Sequence, residues 1–288
     1  MDIRAIAMGL AFAFMWSSAF ASARIIVADA PPLLSLALRF LISGLLGILI
    51  ARLMGQSWRL NSAQIKSTII FGLCQNALYL GLNFVAMQTV EAGLASIIAS
   101  TMPLLVALLG WLIWGDRMRP LGLAGLVAGF VGVALIMGGR INGGVDLVGV
   151  GMCIIGALAL AVATLTVRSA SVGGNLMMIV GLQMLVGSVI LAIIGGFTET
   201  WEVAVSPRWL LAFGYTTLVP GLLATITWFV LVGRIGAVRA ATFHFLNPFF
   251  GVAVAAVLLG EALGVMDVIG VLIIMVGILA VQWSRQRI

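Results

Sequence analysis

Apolar residues gather in ten runs of about twenty, parted by short polar stretches. The runs are 5–23, 32–51, 67–87, 92–113, 120–138, 147–167, 174–195, 209–232, 238–259 and 264–283. A bilayer core is crossed by about 20 mainly apolar residues in a helix. In hydrocarbon every backbone N–H and C=O must be paired internally, which leaves helices or a closed barrel. The runs show no period-2 alternation, so they predict helices. The longest connections, Arg52–Lys66 and Gly196–Arg208, are too short for a soluble domain. The first run, with its basic start and Ala21-Ser22-Ala23, imitates a secretory signal. Cleavage would delete one helix from the repeat described below, so this run is read as a span.

Composition agrees: 63% of the 288 residues are apolar and 8% charged, against roughly 25% charged in soluble domains. The net charge of +6 could suit nucleic acid. The basic residues, however, sit singly or in pairs between spans, as orientation signals do. With the N-terminus cytoplasmic, the inner side carries Arg4, Arg52, Arg59, Lys66, Arg117, Arg119, Arg168, Arg234, Arg239, Arg285 and Arg287. The outer side has Arg24, Arg140 and Arg208, with Asp29, Glu91, Asp146, Glu199, Glu202, Glu261 and Asp267. This asymmetry places both termini in the cytoplasm. Cys74 and Cys153 lie inside apolar runs without metal-ligand spacing and read as small apolar residues.

The chain partly overlays itself when shifted by 145 residues. Pro103 falls on Pro248, Gly115-Asp116 on Gly260-Glu261, Gly125 on Gly270, Gly132 on Gly277, and Phe84-Val85 on Phe229-Val230. A shift of 144 sets Arg39 on Gln183. Each half, 1–143 and 144–288, then holds five helices. An odd number inverts the second copy, the pattern of many secondary transporters. The fold class is therefore an all-α membrane protein of ten transmembrane helices in two inverted five-helix repeats.

These features resemble the drug/metabolite transporter superfamily, in its ten-helix EamA branch. The resemblance runs through Trp16-Ser17-Ser18-Ala19-Phe20, Arg39-Phe40, Pro103 with Gly115-Asp116, and Pro248 with Gly260-Glu261. It covers nearly the whole chain. Position 116 carries Asp where the family usually has Glu. Within the branch the chain is most similar to bacterial YddG-type aromatic amino acid exporters. The resemblance implies the bacterial inner membrane and a cavity lined by helices 3, 4, 8 and 9 with 1 and 6.

Candidate residues follow from helical spacing. Gly122, Gly125, Gly129 and Gly132 form one face, a close-packing or dimer seam, with Gly270 and Gly277 a sparser version. Asn76, Tyr79 and Asn83 share a face of helix 3, with Gly72 one turn below, as a cavity wall or an interhelical contact. Ser96, Ser100 and Pro103 stripe helix 4, opposite Ala241, Phe245 and Pro248 on helix 9. The expected binding site centres on Tyr79, with Asn83, Ser100, Trp16, Trp228 and His244 around a mid-membrane cavity. Pro103 and Pro248 are the expected hinges. Arg39, about 10 Å into helix 2 at 1.5 Å per residue, reads first as a brace between helices, since Gln183 takes the equivalent place. His244 has Asn247 one turn on, and a lone histidine there is more often a packing residue.

One histidine and no mid-span carboxylate leave no material for a catalytic pair or metal cluster, so no enzyme, cofactor or metal is expected. Nothing resembles a selectivity filter. Lipophilic-cation antiport would want a buried carboxylate, and sugar-phosphate exchange several inward-facing cations. The remaining reading is gradient-driven export of small neutral or zwitterionic solutes, such as aromatic or hydrophobic amino acids or related metabolites, by alternating access. Lipid or amphiphile flipping and drug efflux by proton antiport are the alternatives. The expected partners are the solute and the bilayer, with no nucleic acid, and the chain is a monomer or weak homodimer.

Overall fold

The computed structural model describes residues 3–116, 118–167 and 174–286. Ten helices are long and apolar enough to cross a membrane: α1 (Ile3–Asp29), α2 (Pro32–Leu53), α3 (Ser62–Ala86), α4 (Ala92–Ile113), α5 (Pro120–Ile141), α6 (Leu147–Leu165), α7 (Leu176–Thr198), α8 (Pro207–Ile235), α9 (Arg239–Leu259) and α10 (Val265–Ser284). The protein is an all-α, multi-pass membrane protein. Boundaries fall within a few residues of those expected, except that α1 runs on to Asp29. Arg24 does not end it, because its guanidinium donates to the Met87 carbonyl and is satisfied within the protein. Arg117, Arg168 and Arg287, counted above toward the inner side, lie outside the described residues.

Local chemistry explains the ends. Pro32, Pro120 and Pro207 stand in first turns, where a missing N–H costs nothing. Asn61 and Gln64 form a reciprocal capping box at the start of α3. Glu199 accepts hydrogen bonds from the N–H groups of Leu33 and Leu34, both at 2.9 Å. Glu261 does the same for Ala92 and Gly93, at 2.7 and 2.8 Å. Gly115 and Gly260 follow α4 and α9 in nearly identical left-handed conformations, φ 69° at both, where a β-carbon would be strained.

Three pairs of helices five places apart meet. α5 packs on α10, α2 on α7, and α4 on α9, while α1 touches α8 and α9 as α6 touches α3 and α4. Glycines set the closest approaches. A β-carbon on Gly125 would stand 2.7 Å from the Gly277 carbonyl oxygen, and one on Gly132 2.8 Å from that of Gly270. The glycine seam of α5 is therefore used inside the molecule, against α10. A second seam joins Gly44 and Gly47 of α2 to Gly181 of α7.

Four helices are irregular, at matching places. α4 breaks at Thr101 and restarts with Met102 and Pro103. α9 tightens into a 3-10 turn at Thr242–Leu246 and restarts with Asn247 and Pro248. α3 widens into a π-helical stretch at Gly72–Leu80, and α8 at Val219–Leu223.

Candidate functional site

The widened parts of α3 and α8 face one cavity, of about 60 Å³. Its walls come from α1, α2, α3, α7 and α8. Aromatic rings dominate: Trp16 and Phe20 of α1, Phe40 of α2, Tyr79 and Phe84 of α3. Polar groups are few: Arg39, Gln75, Asn76, Asn83 and Thr225. An apolar surround with a few placed polar groups is the common make-up of a small-molecule site. π-helical turns occur often at such sites.

Pro220 explains the break in α8. It has no N–H for the Thr216 carbonyl four residues back, so that oxygen is freed. The Arg39 Nε donates to it at 3.2 Å, and the Ser43 hydroxyl donates to the Thr217 carbonyl at 3.1 Å. Arg39 thus braces α2 against α8, as its spacing indicated, and also lines the cavity. In the other half the Asn76 amide of α3 donates to the Gln183 carbonyl of α7 at 2.8 Å. That part of the helix 3 polar stripe is an interhelical contact. Gly72, one turn below, packs on α7 beside Val186.

The structure brings Tyr79, Asn83 and Trp16 together at the cavity. Tyr79 and Asn83 are almost wholly buried. The Asn83 amide nitrogen donates to the Tyr79 carbonyl at 2.8 Å, and its Oδ1 has no partner. Trp228 and His244 do not line this cavity. They form an adjoining aromatic layer around Phe12, one turn before Trp16 on α1. Phe12 lies 4.7 Å from Trp228, 5.3 Å from His244 and 5.8 Å from Trp16, centroid to centroid. His244 meets Trp228 edge to face at 5.0 Å, and its Nδ1 lies 3.2 Å from the Ala241 carbonyl.

Ser100 stands apart from the cavity. Its hydroxyl donates to the Ser96 carbonyl at 2.7 Å, within α4. Ser96 in turn fills the space over Gly251 of α9. The serine stripe is the seam between α4 and α9, so these helices pack together and leave the wall to α2 and α7, which the resemblance did not include. Phe12, Gln75, Phe20 and Phe40 were missed by sequence reasoning. Phe12 and Phe20 had a signal, four residues either side of Trp16, and Phe20 and Phe40 stood in the motifs that carry the resemblance.

Among the described residues, no group of three or more His, Cys, Asp or Glu side chains converges to hold a metal. Both cysteines are free thiols.

Comparison with known proteins agrees with this architecture. A solved crystal structure matches all of this chain and 99% of its own, with TM-score 0.70 at 22% identity, a likeness of fold. The uncharacterized transporter YvbV of Bacillus subtilis is 29% identical over 96% of this chain and 91% of its own length. The uncharacterized inner membrane transporter YedA of Escherichia coli is 28% identical over 87% of this chain and 79% of its own. A probable amino-acid metabolite efflux pump of Salmonella typhimurium is 26% identical over 94% of this chain and 92% of its own. The pattern of the EamA-like transporter family matches residues 3–138 and again 147–283. The chain belongs to the EamA-like transporter family.

Proposed function

We propose that this transporter exports small zwitterionic or neutral solutes, aromatic and hydrophobic amino acids first among them, by alternating access in the bacterial inner membrane. One observation carries the reading. A cavity joins five aromatic rings to a guanidinium and to the amide side chains of Gln75 and Asn83. Rings offer dispersion and edge contacts to an apolar side chain. The polar groups suit the charged end. The Salmonella relative, a probable amino-acid metabolite efflux pump, points the same way.

The cavity volume of about 60 Å³ is far below the roughly 300 Å³ at which solute sites begin. Loading therefore requires wall helices to part. The halves 1–143 and 144–288 act as the two repeats, both termini are cytoplasmic, and the unit is one chain, because the α5 seam is already occupied by α10.

Purified protein in liposomes tests the reading. Labelled aromatic and aliphatic amino acids, quaternary amines and a fluorescent lipid are followed with and without a pH gradient. Saturable amino acid flux that needs no pH gradient is expected. Lipid movement without amino acid flux would mean a flippase, and amine flux driven by the gradient would mean proton antiport.

A further inference from the structure

We infer that Arg39 receives the carboxylate of the cargo, an inference that rests on the transport reading above. Arg39 is 5% exposed. A guanidinium offers five N–H donors in a rigid fork and stays charged. Its Nε is committed to the Thr216 carbonyl, the one hydrogen bond it makes among the described residues. Among the described residues both terminal nitrogens lack a hydrogen-bond acceptor, and the guanidinium carbon lies 5.1 Å from the Phe40 ring centroid. No acidic side chain lines the cavity, and the ion pairs of the described residues all belong to Arg140. A buried cation without a counter-ion is costly, and proteins pair such groups.

Bracing alone does not call for this residue. A single donor would hold the Thr216 carbonyl, and glutamine occupies the repeat-equivalent place at Gln183. The surplus is a planar fork beside a cavity, the shape that pairs bidentately with a carboxylate. Another wall supplies the complement, the Asn83 Oδ1, a buried acceptor with no donor among the described residues. Aromatic rings complete the lining. An α-amino acid carries a carboxylate for Arg39, an ammonium for Asn83 and a side chain for the rings.

The test uses the whole protein in liposomes, with labelled L-phenylalanine flux competed by 3-phenylpropanoate and by L-phenylalaninamide. The first competitor keeps the carboxylate without the ammonium, and the second the reverse. Wild-type protein should bind the amide about ten- to a hundredfold more weakly than the amino acid, the worth of a lost hydrogen bond to a charged group. Arg39→Gln keeps a donor for Thr216 and removes the charge. It should weaken both carboxylates by the same factor, leave the amide unchanged and bring the ratio of amino acid to amide near one. Arg39→Lys should retain part of the preference. If Arg39→Gln does not fold, the wild-type ratio decides alone. L-Phenylalanine flux that the amide inhibits as strongly as unlabelled L-phenylalanine does leaves the transport reading standing and overturns the role of Arg39. Absence of saturable flux for every labelled amino acid overturns both.

Discussion

Tyr79 is held where its ring and hydroxyl have different tasks. The ring is buried in the wall, with 2% of its surface exposed, while the hydroxyl makes no hydrogen bond within the described residues. Tyr79→Ala should therefore impair transport at normal expression, and Tyr79→Phe should be intermediate if the hydroxyl meets cargo. A lost hydrogen bond to a charged group is worth about 1.5–3 kcal/mol. The control is Leu272→Ala on the outer surface of α10; equal flux per folded molecule in the two alanine variants removes Tyr79 from the site. His244 sits among rings, with edge contacts worth about 0.5–1.5 kcal/mol each. His244→Asn should lower the melting temperature modestly and alter rate or substrate profile, which paired melting and flux curves would show. Helical spacing made Tyr79 and Asn83 legible, because one face of one helix is a local property, and Trp16 stood out as an aromatic residue well inside a span. Spacing could not separate them from Ser100. Whether a polar stripe meets a cavity or a neighbouring glycine depends on a partner 155 positions away, Gly251 opposite Ser96.

At the scale of elements, the prolines mark breaks. Pro103 and Pro248 each open a new helical segment just after an interruption. A break at equivalent places in α4 and α9 is a joint about which half-helices can tilt. Pro103→Ala and Pro248→Ala should slow transport more than they weaken binding. Wild-type rates in both variants would reduce the prolines to tolerated kinks. Pro220 was passed over in the sequence, although it widens α8, because a proline inside an apolar run gives no hint of which residue will take the freed carbonyl. The spans themselves were legible, since length and apolarity are set by the bilayer alone. The glycine face of α5 was legible as a seam but not as the contact with α10. Gly277→Leu should destabilise strongly, as its β-carbon would lie 2.6 Å from the Gly125 carbonyl oxygen. Gly138→Leu, with open space around it, should not, and thermal unfolding in detergent separates the two. A further joint lies at the start of α6. The Thr89 hydroxyl, with the N–H groups of Val148 and Gly149, holds the Asp146 carboxyl below the ordinary aspartate range. A lowered folded value means that this contribution is present above the unfolded pKa and is lost as pH falls through the folded one. Asp146→Asn should lower the melting temperature at pH 7, and the difference should vanish well below pH 4.

For the whole molecule, orientation and gating meet at one end of the bundle. Four of the residues assigned to the outer side converge there. Arg140 at the end of α5 pairs with Glu91 before α4 and with Asp267 of α10, the latter at 2.9 Å. Glu261, before α10, caps the first N–H groups of α4, where a carboxylate is favoured by the helix dipole. These contacts tie the outer ends of α4, α5 and α10 together. Orientation is tested first, in a background without Cys74 and Cys153: a cysteine at position 59 should label only from the cytoplasm and one at position 202 only from outside. The reverse pattern sinks the topology. Given that topology, the tie is expected to loosen when the protein opens outward, because it fastens α4, one of the two helices broken at a proline. Glu261→Gln keeps one acceptor and loses the charge, and Arg140→Gln leaves the nearly buried Asp267 without its cation. Each variant should raise the labelling of a Ser100→Cys reporter by an outside, membrane-impermeant reagent. Each should also shift transport rate without changing the preference for amino acid over amide, since neither residue lines the cavity. If Ser100→Cys labels at the wild-type rate in both variants while melting temperature falls, the cluster only fastens the helix ends and takes no part in gating.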